Sequence, residues 1–158
     1  MQLEFWSLAS LLIMAGIIVA GCSMFLKEPD ISVKGVSPKS ASLSELVLEV
    51  TLDVHNPNAM GITLKNLSFD VFYQKGSEWV FLSHGEQTGI TLKPGPNEVI
   101  VPVTVQSSAL LGSLFDLVTS GAVTLRIDGS ATPDLRLFAP EVPFSRTVTL
   151  SLERTPLM

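Results

Sequence analysis

The sequence predicts an all-β domain, an antiparallel β-sandwich of about seven strands plus one short helix, set behind an N-terminal hydrophobic helix. Three observations predict it. Apolar and polar residues alternate with a period of two in several separate stretches, which marks strands with one dry and one wet face. Clusters of proline, glycine and asparagine separate those stretches. Finally, the apolar residues, 46% of the 158, are unevenly spread. Residues 1–26 hold 19 of them and a single charged residue, Glu4, whereas residues 27–158 have an ordinary globular composition.

The order of the chain is a hydrophobic leader (1–26), a polar tether (27–30), the domain (31–154) and a short tail (155–158). Ile31, Val33 and Val36 suggest a first strand ending at Ser37-Pro38. Leu46, Leu48, Val50, Leu52 and Val54 then alternate with Val47, Glu49, Thr51, Asp53 and His55, and Asn56-Pro57-Asn58 stops that strand. From Gly61 to Gln74 the apolar phase shifts from even positions (Ile62, Leu64) to odd ones (Leu67, Phe69, Val71, Tyr73), so a bulge near Lys65-Asn66 is expected. Lys75-Gly76-Ser77 reads as a hairpin turn into Trp79–Ser83. A Gly-rich loop (Gly85, Gly89) and the turn Pro94-Gly95-Pro96 come next.

Val99, Val101, Val103 and Val105 alternate strictly, and Pro102 on the wet face points to an edge strand. Over 107–120 the spacing changes to helical, with Ser107 or Ser108 as cap, Leu110, Leu114 and Leu117 on one face, and Gly121 as the stop. Strands resume at Val123–Ile127 and at Val142–Leu152. The count matches the immunoglobulin or fibronectin type III-like sandwich.

The leader contains 22 consecutive uncharged residues, Phe5 to Leu26, which as a helix would span about 33 Å, enough to cross a bilayer. Within it Val19-Ala20-Gly21-Cys22 resembles the lipobox of prokaryotic lipoproteins, in which small residues admit the peptidase and the thiol takes the lipid. Cys22 is the expected lipidation site, and two acyl chains there would give stable anchoring. The absence of Lys or Arg ahead of the apolar run departs from an ordinary secretory leader. Lys27, Lys34 and Lys39 lie after it, which fits an uncleaved helix with a cytoplasmic domain. Two anchors therefore stand: a lipoprotein on the outer face, or a transmembrane helix of either orientation.

By residues 48–73, LEVTLDVHNPNAMGITLKNLSFDVFY, the pattern resembles the water-stress-and-hypersensitive-response (WHy) domain of the atypical late embryogenesis abundant proteins. The alternating strand Leu48–Val54, the triplet Asn56-Pro57-Asn58, Gly61 and the strand ending at Tyr73 carry the likeness. The stretch SHGEQTGITLKPGPNEVIVPVTV (83–105) extends it. The resemblance implies a β-sandwich and an association with desiccation or other water stress. It implies no catalytic residues, and Asn56, Pro57 and Asn58 enter as a structural family motif.

Candidate chemistry is sparse. The formal net charge is −5, from 10 basic and 15 acidic residues, without a basic cluster, which argues against nucleic acid as a partner. His55 falls on a wet strand phase, and neither it nor His84 belongs to a cluster with metal-ligand spacing. No nucleophile elbow, phosphate-cradling loop or zinc-protease motif occurs. Asn66-Leu67-Ser68 spells a glycosylation acceptor by composition alone. The expectation is a non-enzymatic protein without cofactor or metal, held at a membrane through its N-terminus and protective under water stress. The alternative is a membrane-tethered binding module for a lipid, another apolar ligand or a partner protein.

Overall fold

The structure is a computed structural model that describes residues 26–42, 44–106, 112, 119 and 121–151. Its seven strands are β1 (Asp30–Ala41), β2 (Leu46–Asn56), β3 (Ile62–Lys75), β4 (Glu78–Leu92), β5 (Gly95–Val105), β6 (Ala122–Asp134) and β7 (Val142–Ser151). All neighbours are antiparallel, in a three-stranded sheet ordered β1-β2-β5 and a four-stranded sheet ordered β4-β3-β6-β7. The expected sandwich is therefore present. The leader with Cys22 lies outside the described residues, and so does the helix expected over 107–120, apart from Gly112 and Thr119.

The alternation of the sequence becomes the core. Leu48, Val50, Leu52 and Val54 of β2 and Val99, Val101, Val103 and Val105 of β5 are buried, and they face Leu64, Leu67, Phe69, Val71 and Tyr73 of β3. Lys65 is the extra residue where the β3–β6 register slips between Leu64 and Asn66, which restores the inward facing as expected. A second slip, opposite Val71/Phe72 in β4, turns both Leu82 and Ser83 inward.

Two expectations are corrected. The first strand does not end at Ser37-Pro38 but continues to Ala41, because β1 is an edge strand, where a proline is tolerated, and slips in its pairing at Lys34 and Lys39 absorb the irregularity. The stretch holding Gly85 and Gly89 is not a loop but the middle of β4. Gly85 pairs with Phe69, Phe69 with Gly129, and Gly129 with Phe144, so small and aromatic residues alternate across the inner face of one sheet. A Cβ on Gly85 would stand 2.5 Å from the Phe69 ring, and one on Gly129 would stand 2.4 Å from Phe69 Cβ and 2.5 Å from the Ser68 carbonyl oxygen. These glycines make room for an aromatic side chain; they do not bend the chain.

The sandwich is closed along both sides. β1 lies against β7 and β5 against β4. Arg146 of β7 donates to the Val33 carbonyl of β1, and Ser83 Oγ of β4 donates to the Thr104 carbonyl of β5 at 2.6 Å. β5 pairs only with β2 in its own sheet, as Pro102 suggests.

Candidate functional site

β1 and β7 begin, and β2 and β6 end, at one end of the sandwich, here called the base. Asn56-Pro57-Asn58 lies there, and its asparagines are 1% and 9% exposed, with no hydrocarbon neighbour able to satisfy them. The amide of Asn56 donates to the Met60 carbonyl at 2.9 Å, while its Oδ1 accepts from the Asn58 backbone at 3.0 Å and from the Asn58 amide at 2.9 Å. That is an Asx turn with an additional side-chain bond. Asn58 then pairs with the backbone of Lys27 as a second peptide would: its Oδ1 accepts from Lys27 N at 2.7 Å and its Nδ2 donates to Lys27 O at 2.8 Å.

The arriving chain is thus held at residue 27, with Leu26 packed against the core and Pro29 buried. A third asparagine, which the sequence pattern did not single out, holds the β4–β5 turn at the same end. Asn97 Nδ2 donates to Lys93 O and Gly95 O, at 2.9 and 3.0 Å, and its Oδ1 accepts from Lys93 N at 2.9 Å. Its position just after Pro94-Gly95-Pro96 was the available signal. An open hollow of about 250 Å³ beside it is lined by Asp30, Ser32, Asp53, His55 and Asn97.

The loop from β6 to β7 completes the base. Leu137 N donates to the Leu135 carbonyl at 2.8 Å around Arg136, whose φ is +68°. This is the rarer and strained form of the γ-turn, adopted here by a residue other than glycine. Leu135 is buried, whereas Leu137 is 87% and Phe138 49% exposed.

On the outer face of the four-stranded sheet, His84 Nδ1 lies 2.7 Å from Asp70 Oδ1, and Ser145 Oγ donates to Asp128. His84 and Asp70 are about half exposed, and they line a shallow depression of about 210 Å³ with Asp128. Solvent screens such exposed pairs. Nearer the far end, the Arg126 guanidinium sits 4.9 Å from the Phe72 ring centre and 4.7 Å from that of Trp79, and Phe81 meets Phe72 edge to face at 5.9 Å.

His55 is exposed, as its strand phase indicates, and the structure does not bring it near His84. Among the described residues no group of three or more His, Cys, Asp and Glu side chains could hold a metal ion, and no helix is long and apolar enough to cross a membrane. Asn66 of the glycosylation triplet lies in β3, between β4 and β6, where a pairing strand cannot extend into a modifying enzyme.

The protein is a small all-β sandwich domain whose Asn56-Pro57-Asn58 turn receives the incoming chain. The chain belongs to the late embryogenesis abundant (LEA_2) family, whose profile matches residues 51–148. It is 32% identical over 101 residues to the uncharacterized protein MJ1138 of Methanocaldococcus jannaschii, a match covering 64% of this chain and 58% of that one. It is 27% identical over 125 residues to MJ0943 of the same organism, over 72% of this chain and 28% of the relative. The chain thus spans little more than half of one relative and about a quarter of the other.

The fold is also that of AT1g01470 from Arabidopsis thaliana, at a TM-score of 0.60 and 18% identity over 80% of this chain and 83% of that one. The late embryogenesis abundant protein At2g46140.1 matches at 0.57 and 18%, over 94% and 85% of the two chains.

Proposed function

We propose that this is a membrane-anchored, non-enzymatic protein of the late embryogenesis abundant type that protects other molecules under water stress. Family membership is the observation that carries the reading. The leader from Phe5 to Leu26 supports the anchor, either as a lipoprotein acylated at Cys22 on the outer face or as an uncleaved helix. The exposed, solvent-screened polar clusters support a protein without an active site. Protection of this kind is generic: a hydrated, acidic domain at the membrane surface keeps neighbours apart as water is withdrawn. No small set of residues need carry it.

The test is a drying assay with the full chain in vesicles that enclose a labile enzyme, against vesicles carrying an unrelated anchored β-sandwich of matched mass and charge. Activity retained above that control after rehydration supports the reading, and equal losses overturn it. Intact mass separates the anchors: loss of residues 1–21 with a lipid-sized increment on Cys22 identifies the lipoprotein.

One observation favours a second reading. Trp79, Phe72 and the half-exposed Phe81 form an aromatic surface at the far end, of the kind that anchors protein partners. A binding module would use it, and Phe81→Ala would then abolish capture of a partner without altering vesicle attachment.

A further inference from the structure

The Leu135–Phe138 turn and the point where the chain enters the domain lie at the same end. β6 ends at Asp134 and β7 begins at Val142, and the Arg146–Val33 bond aligns the starts of β7 and β1. Lys27 is bound by Asn58 and Leu26 is packed against the core, so no slack chain separates the base from residue 26. The apolar leader ends at that residue. A leader that crosses a bilayer therefore brings the membrane surface to the base. A lipid on Cys22 leaves only four residues of slack, which fully extended reach about 14 Å.

Into that gap points the one strained turn of a non-glycine residue among the described residues, with Leu137 almost wholly exposed. Backbone strain is kept where the surrounding structure holds it for a purpose, and here it turns Leu137 outward beside a half-exposed Phe138.

Resting on the anchored reading above, we infer that the base is a bilayer-docking surface, with Leu137 and Phe138 inserted at the headgroup–acyl boundary of the membrane that holds the leader. Leucine and phenylalanine suit that depth, where burial of their side chains is favourable and the backbone still finds hydrogen-bond partners in the headgroup layer. The basic groups at the base (Lys27, Lys93, Arg136) are offset by Glu28, Asp30 and Glu141, so insertion is apolar and indifferent to headgroup charge. Docking would fix the orientation of the sandwich, its long axis upright and its aromatic far end facing away from the membrane.

The full-length variants Leu137→Cys and Ser77→Cys, the second at the far hairpin, are labelled with an environment-sensitive nitrobenzoxadiazole dye and reconstituted into vesicles. The parent chain, treated identically, supplies the background from Cys22. Flotation reports attachment independently of the dye. We expect both variants to float, and lipids brominated near the headgroup to quench the dye at 137 about twofold more than at 77, equally in phosphatidylcholine and in phosphatidylcholine with phosphatidylglycerol. Flotation with equal quenching at the two positions overturns docking and leaves the anchor standing. Quenching at 137 confined to anionic vesicles overturns apolar insertion. Failure to float removes the anchor, and docking with it. Hydrogen exchange of the unsubstituted chain is the check free of substitution: the amides of residues 135–139 are expected to slow on vesicles relative to detergent, and unchanged rates overturn the proposal.

Discussion

The middle of the four-stranded sheet and the base of the sandwich are held by opposite means. In the middle, Gly85, Phe69, Gly129 and Phe144 form a row across the sheet without a side-chain polar atom, their side chains placed by steric fit. At the base, Asn56, Asn58 and Asn97 hold three separate segments by hydrogen bonds to backbone. The steric row decides whether the domain folds. The polar base decides where the chain enters, and it should yield without taking the sandwich with it.

The strongest way to break that contrast is Gly129→Ala. The new methyl would meet the Ser68 carbonyl and Phe69 Cβ, neither of which can swing away, so a loss above ~3 kcal/mol or failure to fold is expected in urea titration. Gly85→Ala meets only the Phe69 ring and should cost about 1–3 kcal/mol. In a double-mutant cycle with Phe69→Leu the two costs should fall short of additivity by at least ~0.5 kcal/mol, and additive costs would show that the ring is not what the glycine accommodates.

Asn58→Ala comes next. It should cost about 1–2 kcal/mol, and faster exchange of the Lys27 amide should accompany an unchanged core. Slowed or unaltered exchange there would contradict the clamp. Arg136→Gly acts in the other direction, because glycine accepts φ +68° without strain: about 0.5–1 kcal/mol of added stability is expected from thermal unfolding.

The smallest effect lies on the outer face of the three-stranded sheet, where Lys34 Nζ bonds Glu98 at 2.6 Å. That bond, the Glu98 charge and then Asp53 raise the Lys34 ammonium above its ordinary 10.5, against a slight opposing effect of burial. The stabilisation is therefore complete below pH 10.5 and is lost as pH rises through the raised folded value. Lys34→Met should cost little at pH 7, less in high salt, and nothing once the pH exceeds that value.

The contrast also explains what could be read from the sequence. Strands such as 46–55 and 99–105 were legible because burial on one face imposes a period of two, and the phase slip at Lys65 was legible for the same reason. Gly85 misled, since a glycine that makes room for an aromatic ring on the neighbouring strand looks like one that turns the chain, and Gly89 takes φ +66° yet lies within β4. Asn56 and Asn58 were visible as a strand stop, but Lys27, the partner of Asn58, lies 31 residues away, and no local pattern reports a contact across that distance. The turn at Arg136 left no trace, because arginine is not a residue that signals positive φ.

The sides of the sandwich bear on the fate of the domain as water is withdrawn. Removing water concentrates every chain, and at high concentration exposed strand edges join one another into insoluble sheets. Here each edge strand of one sheet lies against an edge of the other, tied by Arg146 to Val33 and by Ser83 to Thr104. Register slips at Lys34 and Lys39 interrupt β1, and Pro102 withholds a donor on β5. Such a domain offers little template for strand addition when its chains are crowded together.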